Sequence, residues 1–186
     1  MEKGEFGGKK GFTIIEVALV LAIAGLIFMM VFVALPALQR SQRDSRRRDD
    51  IMVLIQTIKK YQSNNRGALP TGTGVVASGI SSSNETNWQA FYNKYLGNSF
   101  VDPDGEPYAL DVVECGANTS DTECTDSVAT SVRDSGFPFT VGNTKYVIVV
   151  VTQAVCSGER AIRSSNPRNV AALYRLEGAG SYCNNT

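Results

Sequence analysis

A single carboxylate, Glu16, stands near the start of an apolar stretch that runs FTIIEVALVLAIAGLIFMMVFVALPAL over residues 12–38. A charge at the centre of a membrane helix costs at least about 2.5 to 3.5 kcal/mol, so an acid in such a segment is expected to have a partner and a purpose. Four cysteines, Cys115, Cys124, Cys156 and Cys183, all lie beyond the apolar stretch, and none belongs to a C-x-x-C pair. An even number at wide spacing after a membrane-insertion segment reads as two disulfides formed outside the cytoplasm. Three connectivities are open; Cys115 with Cys124 and Cys156 with Cys183 close the two shortest loops and are favoured. Asp102, Asp104 and Glu106 could offer oxygens to calcium, although they lack an EF-hand pattern and calcium takes about six to eight ligands. Arg160, Arg163 and Arg168, with Tyr174 and Tyr182 nearby in sequence, form a basic segment that could touch DNA or a host surface. Histidine is absent, which removes the commonest general base and metal ligand, and no nucleophile has an adjacent base. The chain is therefore expected not to be an enzyme and to need no cofactor. Lys plus Arg equals Asp plus Glu at 18 each, so any electrostatic role is local.

These residues need elements to hold them. The 22 uncharged residues from Val17 to Leu38 suffice for one membrane span, which takes about 20 residues. Pro36, Gln39 and an arginine-rich run follow with no small-residue cleavage site, so the segment is expected to be retained rather than cut away as a secretory signal. The helix is expected to continue past the bilayer, kinked at Pro36, with Gly25 as a point of close approach. Beyond it, RSQRDSRRRDD places Arg40 with Asp44, Asp44 with Arg48 and Arg46 with Asp50 at i,i+4, the pattern of a solvated helix face. Ile51, Leu54, Ile55, Ile58 and Tyr61 then form one apolar stripe that predicts packing on a sheet, and NNRG with Pro70 ends the helix. Residues 67–87 read as a long polar connection, and WQAFYNKYLG (88–97) as a short helix with a core-facing aromatic set. DPDG at 102–105 is turn chemistry. Strands are predicted over 107–115, 145–156 and 169–178, with a polar hairpin-like loop, ECGANTSDTEC, after the first.

The flank of the apolar run carries a more specific message. KKGFTIIE followed by an unbroken apolar segment resembles the class III signal of type IV prepilins, the N-methylphenylalanine pilin family, to which pseudopilins are close relatives. The resemblance implies a leader over residues 1–11, cut by prepilin peptidase between Gly11 and Phe12, and N-methylation of Phe12 by the same enzyme. Glu16 becomes the fifth residue of the processed chain, where that family pairs its glutamate with the N-terminal amine of a neighbouring subunit during assembly. It implies an α+β pilin fold: a polymerisation and transmembrane helix over 12–38, an amphipathic helix over 39–66, and a head over 67–186 built on a small antiparallel β-sheet. Arg43 and Arg47 would then be candidates to bridge acids of adjacent subunits. The implied partners are copies of itself in a helical homopolymer, the peptidase, an assembly platform with its ATPase, and the cytoplasmic membrane. The implied life is that of a single-pass precursor with its N-terminus in the cytoplasm, then an extracellular filament for adhesion, twitching motility or DNA uptake. A pseudopilin of a type II secretion system, or a minor or competence pilin acting as a DNA- or surface-binding module, are the alternatives.

Overall fold

The computed structural model describes residues 11–80, 84, 86–116, 124, 127–178 and 180–186. The chain divides into two compact units, Met1–Gln39 and Arg40–Thr186. Residues 1–10, most of the expected leader, lie outside the described residues.

One helix, α1 (Ile14–Asn64), runs through both units without interruption at Gly25 or Pro36. In the first unit its side chains are exposed on every side, with Ile14 89%, Phe28 64% and Phe32 72% exposed. An isolated helix apolar all round needs a non-aqueous surrounding, and this one is long and apolar enough to cross a membrane. Pro36 removes one backbone hydrogen bond from the helix but does not end it.

In the second unit α1 is amphipathic. Its buried positions, Asp44, Arg47, Ile51, Leu54, Ile55, Ile58 and Tyr61, recur every three or four residues on one face. The helix stops where Arg66 and Gly67 turn to positive φ, with the Gly67 N–H returning to the Gln62 carbonyl at 2.7 Å. This is the six-to-one hydrogen bond of a helix closed by a left-handed residue, here Arg66, with Gly67 following it.

A five-stranded sheet has the order β1-β2-β3-β6-β7, formed by β1 (Gly74–Val76), β2 (Ala109–Glu114), β3 (Val147–Thr152), β6 (Val170–Arg175) and β7 (Ser181–Asn185). The sheet is mixed, which corrects the expected antiparallel one: β2 and β3 pair in parallel, in register from Ala109 with Val147 to Glu114 with Thr152. The reason lies in the connection. A parallel pair needs a crossover rather than a hairpin, and residues 115–146 supply one that includes α3 (Ser127–Asp134). Most of the predicted hairpin-like loop falls outside the described residues. The predicted strand over 145–156 is also divided, because Gln153 takes φ 57° and separates β3 from β4 (Ala154–Ser157). Strand β4 then leaves the main sheet and pairs with β5 (Arg160–Arg163) in a two-stranded hairpin.

Each face of the large sheet meets a different layer. Leu110, Val112, Ile148, Val150, Ala172 and Tyr174 pack with the α1 stripe. Ala109, Val113, Val147, Val149, Val151 and Leu173 pack with Val132 of α3, Phe139 and the hairpin residues Ala154 and Ala161. Burial on both faces accounts for the unbroken VIVVV of β3, where a half-solvated strand would alternate. The aromatic stretch begins as α2 (Trp88–Phe91) and continues as a π-helical turn over Tyr92–Leu96. Phe91 packs edge-on against Tyr61 of α1 and stacks with Tyr95. These rings are core.

Candidate functional site

Two charged centres occupy α1, one in each unit. In the first, Thr13 and Glu16 close on each other. The Glu16 N–H donates to Thr13 Oγ1 at 3.3 Å, while Glu16 Oε2 accepts from the Thr13 N–H and hydroxyl at 3.0 Å each. This reciprocal arrangement is a capping box, which satisfies N–H groups otherwise orphaned at a helix start and places a negative charge at the positive end of the helix dipole. Thr13-x-x-Glu16 is its sequence signature. Both bonds received by the carboxylate use Oε2, and Oε1 has no partner among the described residues.

The second centre is one that sequence reasoning missed. Arg47 is completely buried, and each of its five N–H bonds has an acceptor. Nε and Nη2 hold Asp102 in a two-pronged pair at 2.8 and 2.9 Å; Nη2 also reaches Asp104 at 3.0 Å. Nη1 reaches Asp44 and Glu177, both at 3.1 Å. The Phe137 ring covers the guanidinium at 4.3 Å from its centroid. Arg43 joins from one turn earlier with its own paired contact to Glu177, the Nε bond being 2.9 Å. Asp44, in turn, caps the chain after β6, accepting from the N–H groups of Glu177 at 3.0 Å and Gly178 at 2.8 Å. A Cβ on Gly178 would stand 2.9 Å from Asp44 Oδ2, so a larger residue there would push the carboxylate aside. Tyr174 donates to Asp102 and Tyr146 to Asp104.

The electrostatics follow from burial and pairing. Burial alone would lower the pKa of Arg47, but the hydrogen bonds and charge of Asp102, with Glu177, carry it above its ordinary value. Burial would raise Asp102, yet Arg47 holds it below the usual carboxylate value. The hydrogen bond from Arg43 is the main influence that lowers Glu177. Asp50 moves the other way, pushed up by burial despite the hydrogen bond it accepts from Tyr108. The cluster ties three segments distant in sequence, α1, the DPDG turn and the β6–β7 connection, through ionic contacts inside one chain.

Several sequence expectations change here. Arg43 and Arg47, expected to bridge acids of adjacent subunits, bind acids of their own head; Arg47 pairs with Asp44 at i,i+3, and none of the three expected i,i+4 pairs closes to salt-bridge distance among the described residues. The Asp102 and Asp104 carboxylates offered to calcium are turned to Arg47, and the described residues contain no cluster of potential metal ligands. The DPDG turn forms, with the Gly105 N–H on the Asp102 carbonyl at 2.8 Å. Cys115 is joined to Cys124 and Cys156 to Cys183. The second link fastens the β4–β5 hairpin to β7, and the Cys124 N–H reaches Ala161 of β5 at 3.0 Å. The three arginines named from sequence divide: Arg160 and Arg163 belong to the hairpin, where Arg163 donates to the Gly116 carbonyl, while Arg168 lines a cleft beside the end of α1. No family model matches the chain, and neither does any curated protein or solved structure.

Proposed function

We propose that this chain is a subunit of a type IV pilus-like filament, inserted in the cytoplasmic membrane as a precursor, cut between Gly11 and Phe12, and then polymerised. The carrying observation is the conjunction GFTIIE: an acid at the fifth position counted from Phe12, in the first turn of an apolar helix whose sides are exposed throughout, joined to a head closed by two disulfides. Cleavage would turn the Phe12 amide into an ammonium group and expose it. In an assembled filament Glu16 Oε1 would accept that amine from a neighbouring subunit while Oε2 keeps its bonds to Thr13. The coupling is chemical: without cleavage there is no cation to pair, so an unprocessed chain carries an unmatched acid in hydrocarbon. Burial of exposed apolar helices against one another would supply most of the cohesion, and the energy for extraction from the membrane would come from a separate assembly ATPase. On this reading the chain contributes structure and no catalysis, and the pilus alternatives of adhesion, motility and DNA uptake rest on its head.

The test is Glu16→Gln, which keeps shape and removes charge. Processing is expected to be intact and the yield of sheared filaments strongly reduced. Normal filament yield from the variant would contradict the proposal.

A further inference from the structure

Beside the C-terminal end of α1 lies an open cleft of about 610 Å³ lined by Lys59, Gln62, Ser63, Arg66, Gly67, Asn166, Arg168, Asn169 and Thr186. Three lining residues are cationic and none is Asp or Glu. Arg168 is held in place through its backbone: its carbonyl accepts from Gln62 Nε2 at 2.6 Å, and its N–H donates to Asn166 Oδ1 at 3.0 Å. Its guanidinium packs over Gly67, where an added Cβ would stand 2.9 Å from Cζ. Neither that guanidinium nor the Lys59 and Arg66 side chains has a hydrogen bond or ion pair among the described residues. The contrast with Arg47 is direct, since every donor there is matched within the chain. Cations near a helix C-terminus gain something from the dipole. That does not account for Arg168, which comes from the loop before β6 and is fixed at the cleft by contacts to its backbone.

We infer that this cleft binds phosphate groups, and specifically the backbone of a phosphodiester strand. Three cations without partners among the described residues suit tetrahedral anions with several acceptor oxygens. No aromatic ring lines the cleft, so it has no platform for base stacking, and recognition would be independent of sequence. An open trough suits a chain that passes through better than a small enclosed anion. The inference does not depend on filament assembly, because it concerns the surface of a single head.

The test uses the full-length protein in a non-ionic detergent and a labelled single-stranded oligonucleotide, read by fluorescence anisotropy at two salt concentrations. With three phosphates neutralised, affinity is expected to fall roughly tenfold to twentyfold between about 50 and about 200 mM salt. Arg168→Ala should weaken binding and reduce the logarithmic salt slope by about 0.7. Lys59→Ala removes a second lining cation and should weaken binding by a similar factor, with Trp88 fluorescence confirming that the head remains folded. Arg160→Ala removes an equal charge from the hairpin and should leave affinity unchanged. Inorganic phosphate as competitor distinguishes the sources: displacement of the strand at low millimolar phosphate identifies a site for single phosphate groups, and resistance to it identifies a site that needs the polymer. Absence of binding, or an equal loss in Arg160→Ala and Arg168→Ala, would overturn the inference while leaving the filament proposal intact.

Discussion

Glu16 and Arg47 are charges on the same helix with opposite fates. Arg47 is enclosed, and its donors are all spent within its own chain on acids from three segments. Glu16 is exposed on an apolar helix and, among the described residues, is bonded through its side chain to Thr13 alone. A charge matched internally serves the fold of the monomer. On the proposed reading, a charge with one oxygen unpartnered among the described residues, on a surface that water does not suit, takes its remaining partner from another subunit. The two should therefore separate cleanly in experiment: one governs whether the head stands, the other what the chain does afterwards.

Removing Arg47 should have the largest effect on the head. Arg47→Ala strands Asp102 as a buried, unpaired carboxylate, and breaking a buried pair in this way costs about 3–5 kcal/mol. The head has a built-in reporter, since Trp88 is the only tryptophan and is buried. Urea unfolding followed by its fluorescence should show a much lower midpoint in Arg47→Ala. Glu16→Gln should leave that midpoint unchanged; a large shift there would abolish the distinction between the two charges. Arg47→Met asks a finer question, because an apolar side chain of similar length still leaves the acids unpaired, and it is expected to rescue little.

Next in size is the Cys156–Cys183 link. The pair Cys156→Ser with Cys183→Ser should lower head stability by about 2–4 kcal/mol. Because this link fastens the β4–β5 hairpin to β7, proteolysis should begin in the hairpin. Cutting first in α1 instead would move the weak point to the arginine cluster.

Acid should act through the same cluster. Asp102 and Glu177 have folded pKa values below their ordinary ones, so the stability they contribute is present at neutral pH and is lost as pH falls through those folded values. Asp50, with a raised value, takes up its proton earlier and opposes the trend. The urea midpoint is thus expected to hold between pH 7 and 5 and to fall below about pH 4. The fall should be smaller in Arg47→Ala, which has already lost the cation that chiefly depresses Asp102 and adds to the effect of Arg43 on Glu177. An identical acid response in both proteins would mean that the cluster does not control it. The smallest effect is expected from Thr13→Ala, which removes half of the capping box and costs the start of α1 about 1 kcal/mol; amide exchange at Ile15 and Glu16 would register it.

Much of this was legible in the sequence because it depends on local spacing. The apolar run, the Ile51–Tyr61 stripe, the helix stop at Gly67, the DPDG turn and the cores of three strands are all written in neighbours a few residues apart. The arginine cluster was not, since Arg47 meets partners 55 and 130 residues away. A clue was nonetheless present. Extended backwards by one turn and then another, the stripe that begins at Ile51 lands on Arg47 and Asp44, which marks them as inward-facing and in need of partners. Thr13-x-x-Glu16 was equally readable as a capping box, but the acid drew attention to a partner elsewhere and away from its neighbour. The parallel pairing of β2 with β3 depends on where a crossover passes, and nothing within either strand states it. The departure of β4 from the sheet turns on a left-handed backbone at Gln153, a residue type that gives no warning of it.

On the proposed reading, the charge on Glu16 awaits an amine made by cutting after Gly11. Mass spectrometry of the protein recovered from cells that carry a prepilin peptidase measures this directly. A chain beginning at N-methylated Phe12 is the predicted result, and a recovered chain that still begins at Met1, or begins anywhere other than Phe12, would contradict the account.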